Sequence, residues 1–499
     1  FGTFSVFSSA HGVFRRAKIL ANFTRSHGMK YTIKPSADGF LSIDMEFIPN
    51  RIGTWEILLP TWRPGRYQSQ HFAKNIPSLH AFSGARASTI QKIASSLWQL
   101  SVADLAPVRI SYRYWAQQAD AGGSVVATDL LYINFINCLI FPKAWENKAC
   151  TVHIDYPANW QTATSLSGKA GTYSVKKYRE LVDSPFLAAP TVFSHAWKEG
   201  KTKFFLEGIG PATHFSKKLI QAYQQIAAYQ VQWMGDFPVK NYHFLLWICP
   251  KPYYHGVEHT QSTMMVMGPP ERDCYEDLIG LGSHELFHVW NVATIRPKAL
   301  LPYAYTKEVY FDTAWVVEGI TTYLGDWFLG ASGVISWEEY VACLLGNLKL
   351  HFERDGRSEQ SLVESSVDIW LDGYGAALPG KRVSIYYKGA LVALAIDLLL
   401  RQKFSHEKSM RDVMQLMQAR YGYFKKGYTR QDFYSLVEEV YEDSLADFWQ
   451  KWVESAQPLE DDIAELLRFV GLDFYQDQEG QFHLDALPST EEMQDAFLR

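Results

Sequence analysis

The segment His284-Glu285-Leu286-Phe287-His288 constrains this chain more than any other feature of its sequence. Residues at positions i and i+4 share one face of an α-helix, so His284 and His288 can present two imidazole nitrogens to one cation. Glu285, next to the first histidine, can point at a water on that cation. Zn²⁺ favours such nitrogen ligands with one position left open for water. The alternative is a helix that carries two ordinary histidines.

A zinc site of this kind needs a third protein ligand, and Glu318 is the best candidate. Asp312 or Thr313 can cap a helix that contains Glu318, which lies off the apolar face of that helix. A carboxylate on a mainly apolar helix needs a partner, because burying it alone is costly. The partner is either a metal or an ordinary salt bridge to Arg or Lys. We expect Asp312 and Asp326 to fix the tautomers of the two histidines. The predicted core stripe of the helix is Val317, Ile320, Leu324 and Phe328.

A hydrolytic role for such a site also requires a base and an oxyanion donor. Zn²⁺ lowers the pKa of a bound water, and Glu285 can take a proton during attack on a carbonyl and pass it to the leaving amine. The candidate donors to the oxyanion are Tyr386 and Tyr387, which precede a strongly apolar helix from Gly389. The dipole of that helix favours negative charge near its start. Packing is the alternative for any one of the 28 tyrosines.

The segment Gly256-Val257-Glu258-His259 follows a predicted strand and has two features of a substrate-binding loop. Gly256 allows close approach to the backbone. Glu258, at the end of a cleft, could bind the free α-ammonium group of a peptide, which would make the enzyme an aminopeptidase. The alternative is an exposed loop carboxylate.

The hydrophobic pattern divides the chain into a β-rich and a helix-rich part. Apolar and polar residues alternate over 41–47, 108–114 and 152–156, which predicts half-buried strands of an antiparallel sheet or sandwich. Past Pro211 the period changes to that of helices. The predicted elements there are helices over 215–234, 275–291, 314–329, 337–354 and 389–402, strands over 242–249 and 263–267, and a turn-rich segment over 250–262.

The zinc motif and five further segments resemble the glycyl aminopeptidase family, a gluzincin branch of the zinc metallopeptidases. The motif continues as Val-Trp-Asn-Val and then Ile295-Arg296-Pro297, as in that family. A Pro-x-Trp-x-Pro-Gly-x-Tyr segment at 60–67 resembles the family's β domain. The other similar segments lie at 256–262, 315–323, 365–370 and 386–394, in the family's order. The likeness runs from about Met29 to Leu472.

This resemblance implies a role for each candidate residue and a preference for small amino-terminal residues, Gly and Ala. In the wider group, the oxyanion tyrosine stands two residues before the lysine of a Tyr-x-Lys-Gly segment, which places Tyr386 above Tyr387 in that role. The family implies one Zn²⁺ per chain bound by His284, His288 and Glu318, with Glu285 and Tyr386 as catalytic residues and Glu258, Gly256 and Tyr387 as substrate-binding residues.

The predicted fold class is α+β with several domains. Residues 1–28 are interpreted as an extension outside the fold, 29–200 as an antiparallel β domain, 201–400 as a thermolysin-like α/β catalytic domain, 401–475 as a helical domain and 476–499 as a loosely held polar tail. Members of the family usually end in a PDZ-like domain. Residues 471–474 resemble the approach to it, and no Gly-Leu-Gly-Phe loop follows.

Composition excludes several other classes. The net charge of −5 is spread along the chain, which argues against a nucleic-acid partner. No apolar run is long enough for a membrane span. The five cysteines are odd in number and lack a Cys-x-x-Cys pair, which argues against a disulfide framework and a thiolate zinc site. We expect peptide substrates and a cytoplasmic location, with the periplasm and the oligomeric state left open.

Two interpretations besides a zinc aminopeptidase stay open. The first is a catalytically silent scaffold that binds peptides; such a protein is expected to have lost a ligand or Glu285, and neither is lost. The second is another hydrolase on the same fold, such as an epoxide hydrolase. Hydrolysis of aminoacyl-anilides beside an epoxide assay distinguishes them.

Overall fold

The structure is a computed structural model that describes residues 28–372, 378, 380–488 and 491–498. The elements given below are those of these ranges. The predicted extension over 1–28 lies, except for Gly28, outside the described residues. No helix in these ranges is both long and apolar enough to cross a bilayer.

The amino-terminal part is built from three sheets and two short helices, α1 (Phe135–Cys138) and α2 (Tyr178–Val182). Its strands are β1 (Met29–Pro35), β2 (Phe40–Phe47), β3 (Gly53–Leu58), β4 (Leu79–Ser83), β5 (Arg86–Ser88), β6 (Ile90–Ala94), β7 (Leu97–Val102), β8 (Val108–Trp115), β9 (Gln117–Gln118), β10 (Ser124–Val126), β11 (Leu131–Ile133), β12 (Phe141–Pro142), β13 (Cys150–Ile154), β14 (Gln161–Thr164), β15 (Gly168–Lys169), β16 (Thr172–Val175) and β17 (Phe186–Ala189).

The largest of these sheets has the strand order β15-β16-β13-β1-β2-β8-β4-β5, and all its pairs except β1–β13 are antiparallel. The other two have the orders β14-β17-β11-β10-β9 and β12-β3-β7-β6. Along β2 every second side chain, from Leu41 to Phe47, is buried, as the sequence alternation predicts. The prediction of an antiparallel β region is confirmed.

The central part combines a five-stranded sheet with a layer of helices. The sheet order is β18 (Phe193–Glu199), β19 (Thr202–Ile209), β20 (Asn241–Ile248), β22 (Ser262–Gly268) and, at the edge, β21 (Tyr253–Glu258). The structure has strand β21 where the sequence predicted a turn-rich segment over 250–262. The glycine inside the strand and its position at the edge of the sheet hide the alternation typical of strands. The helices are α3 (Lys217–Met234), α4 (Tyr275–Phe287), α5 (Ala314–Ala331), α6 (Trp337–Phe352), α7 (Leu362–Asp372) and α8 (Tyr387–Lys403).

Helix α5 is the buried centre of this layer and packs against α4, α6 and α8. Its predicted core stripe is buried along its whole length, from Val317 to Phe328. On α4, Ile279 and Leu286 are buried too. Helix α4 ends at Phe287, four residues earlier than predicted, because the chain then turns more tightly: the backbone N–H groups of Val289 and Trp290 donate to the carbonyls three residues back, Leu286 O at 3.1 Å and Phe287 O at 3.0 Å.

The carboxyl-terminal part is mainly helical. Its elements are α9 (Met410–Tyr421), α10 (Arg430–Tyr441), α11 (Ala446–Phe448), a π-helical turn (Trp449–Val453), α12 (Glu460–Arg468), the hairpin β23 (Leu472–Gln476) and β24 (Phe482–Ala486), and α13 (Glu491–Leu498). The α+β class predicted from the sequence is therefore confirmed.

The expectation of a loosely held tail is wrong for its described residues. Strand β24 pairs with β23, and Phe482 and Leu484 are buried. In α13, Phe497 is fully buried, and its carbonyl accepts a hydrogen bond from Trp327 Nε1 at 3.2 Å. A few well-spaced apolar residues hold a segment whose average composition is polar.

Three predicted domain boundaries divide parts of the structure that belong together. The boundary at 200 falls in the turn of the hairpin β18–β19, the boundary at 400 falls within α8, and the boundary at 475 falls within β23. The division into an amino-terminal, a central and a carboxyl-terminal unit stays a prediction.

Candidate active site

The side chains of His284, His288 and Glu318 meet at one point. The Nε2 atoms of the two histidines lie 3.0 Å apart, and Glu318 Oε2 lies 3.9 Å from His284 Nε2 and 3.5 Å from His288 Nε2. A tetrahedral zinc with ligands at 2.0–2.1 Å separates its ligand atoms by about 3.4 Å. The observed separations bracket this value, so the three residues fit one zinc ion.

Close packing of two antiparallel helices produces this convergence. His284 lies in the last turn of α4, His288 is the capping residue that follows, and Glu318 lies in α5. A methyl group on Gly325 of α5 would lie 3.1 Å from His284 Cα, so the helices approach closely there. At this end of the pair, the hydroxyl of Ser283 donates to Gly325 O at 2.7 Å.

Asn291 and Tyr67 hold the ligands in place. The carbonyl of Asn291 lies 2.7 Å from His288 Nδ1, which directs Nε2 of the ring toward Glu318. The Asn291 amide donates to the carbonyls of Val316 and Val317 on α5, at 2.9 and 3.0 Å. The hydroxyl of Tyr67, from the amino-terminal part, donates to Glu318 Oε1 at 2.9 Å.

Neither of the residues predicted to fix the histidine tautomers, Asp312 and Asp326, is hydrogen-bonded to a histidine ring among the described residues. Asp312 forms an ion pair with Arg430 at 3.1 Å, and Asp326 accepts a hydrogen bond from Asn347 Nδ2 at 2.7 Å. The backbone carbonyl of Asn291 orients the His288 ring instead, and sequence patterns do not reveal such a contact. This part of the prediction is wrong.

A cleft of about 630 Å³ opens at the three converging side chains. The amino-terminal part, the edge strand β21 and the helices α4, α5 and α8 all contribute to its walls. It brings together every site residue that the sequence predicts: Gly256, Glu258, His284, Glu285, His288, Glu318, Tyr386 and Tyr387.

Two buried carboxylates face this cleft beside the histidines. Glu285 is 5% exposed and Glu258 is 6% exposed. Burial raises the pKa of Glu285 to about 8 and also raises the pKa of Glu258. Neither Glu258 Oε1 nor Glu285 Oε2 has a hydrogen-bond partner among the described residues. Each carboxylate therefore lines the cleft and has one buried oxygen that makes no hydrogen bond within the described residues.

The electrostatic field of these carboxylates favours a cation beside His288. Burial lowers the pKa of His288, but the charges of Glu318, Glu258 and Glu285 outweigh burial and raise it to about 10. A group of carboxylates that draws a proton onto a buried imidazole also stabilises a metal ion at the same place. The electrostatic field and the ligand geometry therefore both favour a metal ion at this point.

Two glycines bring the backbone against the two carboxylates. A methyl group on Gly256 would lie 2.2 Å from Glu285 Oε1, and one on Gly65 would lie 2.0 Å from Glu258 Oε2. Gly65 also has a φ of +75°, which a side chain disfavours. The backbone therefore packs directly against one oxygen of each carboxylate.

A buried arginine lies behind Glu258. Arg63 is 1% exposed, its Nη2 lies 3.3 Å from His255 Nε2, and its charge acts on both Asp120 and Glu258. A methyl group on Gly122 would overlap the Arg63 guanidinium, so that backbone packs directly on it. Arg63 therefore offsets the charge of the acids that line this end of the cleft.

Comparison with known proteins identifies the family. Residues 30–190 match the Peptidase M61 N-terminal domain, and residues 277–392 match the M61 glycyl aminopeptidase domain. The chain belongs to the M61 glycyl aminopeptidase family. It is a zinc metallopeptidase of the aminopeptidase type. No curated protein sequence matches it.

Solved structures share the fold. An aminopeptidase N family protein from Idiomarina loihiensis is 25% identical, with a TM-score of 0.84 over 90% of this chain and 79% of that one. An M1 zinc metallopeptidase from Deinococcus radiodurans is 14% identical, with a TM-score of 0.51 over 86% of this chain and 94% of that one. A variant of the latter, bound to the substrate Tyr-Ser-Ala, is 14% identical, with a TM-score of 0.50 over 87% and 94% of the two chains.

Several residues of this M61 site were missed by sequence reasoning. Tyr67 lies in a segment that resembles the family, and it had no assigned role before the structure placed it on Glu318. Arg63 and Asn291 were also missed. Arg63 lies in the same segment as Tyr67, and Asn291 lies in the continuation of the zinc motif, so both segments had been recognised. Their roles depend on contacts between distant parts of the chain, which residue spacing does not encode.

Proposed function

We propose that this chain removes small amino-terminal residues, Gly or Ala, from peptides in a reaction that depends on one zinc ion. The observation that carries the proposal is the position of Glu258 and Glu285 in one cleft with His284, His288 and Glu318. That arrangement supplies a metal site, a base and an anchor for an amino group within reach of one another.

His284, His288 and Glu318 would hold the zinc ion. When bound, it supplies a Lewis acid and lowers the pKa of a water molecule. The donor set of two imidazoles and one carboxylate is typical of catalytic zinc sites, which keep a position open. Tyr67 and Asn291 keep the ligand atoms oriented, and both side chains are buried.

Glu285 is the proposed base. The side chain lines the cleft, its Oε2 has no hydrogen-bond partner among the described residues, and its raised pKa of about 8 suits a group that takes a proton and later gives it to the leaving amine. The Gly256 backbone packs directly against the other oxygen of this carboxylate. Tyr386 is the proposed hydroxyl donor to the oxyanion, and Tyr387, the first residue of α8, is proposed to contact the substrate beside it.

Glu258 is the proposed ligand of the substrate's α-ammonium group. It lines the same cleft as Glu285 and His288, and Gly256, two residues before it on β21, packs against Glu285. An amino group bound to Glu258 would thus lie near the base and the proposed metal ligands. The arrangement therefore supports release of one small residue at a time.

Hydrolysis of a panel of aminoacyl-anilides, with and without a chelator, tests the proposal. We expect glycyl- and alanyl-anilides to be the best substrates and the chelator to abolish their cleavage. Glu285→Gln should retain zinc and lose at least ~100-fold in rate, the usual size of an acid–base contribution. A wild-type protein that binds peptides without cleaving them would indicate a silent scaffold. Turnover of an epoxide in place of anilides would indicate another hydrolase.

A further inference from the structure

The two ends of the cleft differ in which groups they present. Along α4 and α5, Asn291 contacts Val316 and Val317 at one end, and Ser283 contacts Gly325 at the other. Glu258 and Tyr254 lie four residues, or roughly 13 Å, apart on the edge strand β21, with Gly256 between them against Glu285, so Glu258 lies toward the end of the cleft away from Tyr254. If Glu258 holds the amino terminus, the leaving part of a peptide extends toward the second end. This assignment of direction rests on the proposed function.

Asp326 is the charged group that lines the second end. It shares this part of the cleft wall with Tyr254, Leu281, Thr322, Asn347 and Tyr387. Its hydrogen bond comes from the neutral amide of Asn347, and no cation forms an ion pair with it among the described residues. Burial raises the pKa of Asp326 to about 6. A half-buried carboxylate without a counter-ion is unfavourable, and a cationic ligand would relieve this cost.

The surroundings of Asp326 strengthen the negative field. Burial, followed by the charges of Asp326, Glu276 and Glu339, raises the pKa of Cys343 to about 11. In the same part of the cleft, Tyr254 of the edge strand β21 is 56% exposed and lies within electrostatic range of Asp326. This end of the cleft thus presents a carboxylate and a phenol to a passing side chain, a combination that attracts ammonium and guanidinium groups.

We propose that Asp326 binds a Lys or Arg side chain of the leaving peptide and makes the enzyme select peptides that carry one. Asp326 lies eight residues beyond Glu318 on the same helix, which corresponds to roughly 12 Å along its axis. An extended peptide advances by roughly 3.4 Å per residue. The selected position is therefore roughly two to four residues beyond the cleaved bond, with the length of a lysine side chain included.

A set of alanine peptides tests this proposal. Lys, or its uncharged analogue norleucine, is placed in turn at each position from the second to the fifth, and kcat/KM is measured for each pair. We expect the wild-type enzyme to prefer Lys by about 10-fold at one or two adjacent positions, the size of a hydrogen bond to a charged group. Raising the ionic strength should reduce this preference. No preference for Lys at any position would overturn the proposal.

Two substitutions at Asp326 and one control locate the effect. Asp326→Asn should bring the ratio of Lys to norleucine substrates close to one, and Asp326→Lys should make a Glu-containing peptide better than its Gln analogue. Asp277→Asn removes the same charge from α4, but Asp277 pairs with Arg272 outside the cleft, so the wild-type ratio should remain. A preference that survives Asp326→Asn, or that Asp277→Asn abolishes equally, would contradict a specific role for Asp326.

Alanyl-anilide separates the two proposals, because it has no residues beyond the cleaved bond. If the wild-type enzyme fails to cleave it, the proposed aminopeptidase function fails. If it cleaves alanyl-anilide and shows no preference for Lys in the peptides, only the role of Asp326 fails.

Discussion

Replacing Tyr67 by Phe should weaken zinc binding without changing any zinc ligand. The Tyr67 hydroxyl donates to Glu318 Oε1 at 2.9 Å, and the side chain is 1% exposed, so bulk water cannot replace it. Loss of a hydrogen bond to a charged group costs ~1.5–3 kcal/mol. This corresponds to about 10–100-fold in metal affinity, the range seen when groups that orient metal ligands are removed. The ring remains as Phe, so its contacts with Phe311 and Trp370 persist.

Equilibrium dialysis against zinc buffers, with bound metal measured by atomic spectroscopy, gives the affinity directly. Tyr31→Phe is the matched control, because Tyr31 is also buried and donates to the Ile140 carbonyl at 2.9 Å, far from the metal ligands. Tyr31→Phe should lower the stability of the fold and leave zinc affinity unchanged. If Tyr67→Phe binds zinc as tightly as the wild-type protein, the role assigned to its hydroxyl is wrong.

Three further substitutions probe other parts of the molecule. Glu258→Gln should reduce activity on free peptides at least ~10-fold more than activity on amino-terminally blocked ones, because only the former lose a charged hydrogen bond; equal losses would remove its role as amine ligand. Gly65→Ala places a methyl 2.0 Å from Glu258 Oε2, so activity should fall while bound zinc stays at one per chain; unchanged kcat/KM would contradict the close contact. Asp397→Ala leaves Arg401, 3% exposed, without its carboxylate and should lower the free energy of unfolding by ~3–5 kcal/mol; urea unfolding measures this, and an unchanged midpoint would refute it.

The zinc ligands were predictable because their signals are local. The i, i+4 spacing of His284 and His288 survives in the structure, although α4 ends before His288, since that residue keeps a helical backbone. Glu318 was recognised because a carboxylate on an apolar helix requires a partner. For α5, the helical spacing of the apolar residues predicted the buried face correctly.

The groups that support the ligands were not predictable, because they come from distant segments or from the backbone. Tyr67 and Glu318 are 251 positions apart, and no local pattern relates them. The carbonyl of Asn291 has no sequence signature at all. Strand β21 was read as turns because Gly256 interrupts its pattern, and that glycine is present for its contact with Glu285. A residue that is required by a contact with a distant segment can therefore interrupt the pattern of the strand that contains it.

The hydrogen bond from Tyr67 to Glu318 also couples the metal site to the docking of the amino-terminal part. His284 and His288 need only one helix, and Glu318 is added where α4 and α5 pack. The donor to Glu318 comes from a segment 251 positions away, so it is present only while the amino-terminal sheets are docked. Any motion that separates the two parts therefore leaves the three ligands in place and removes the group that orients one of them.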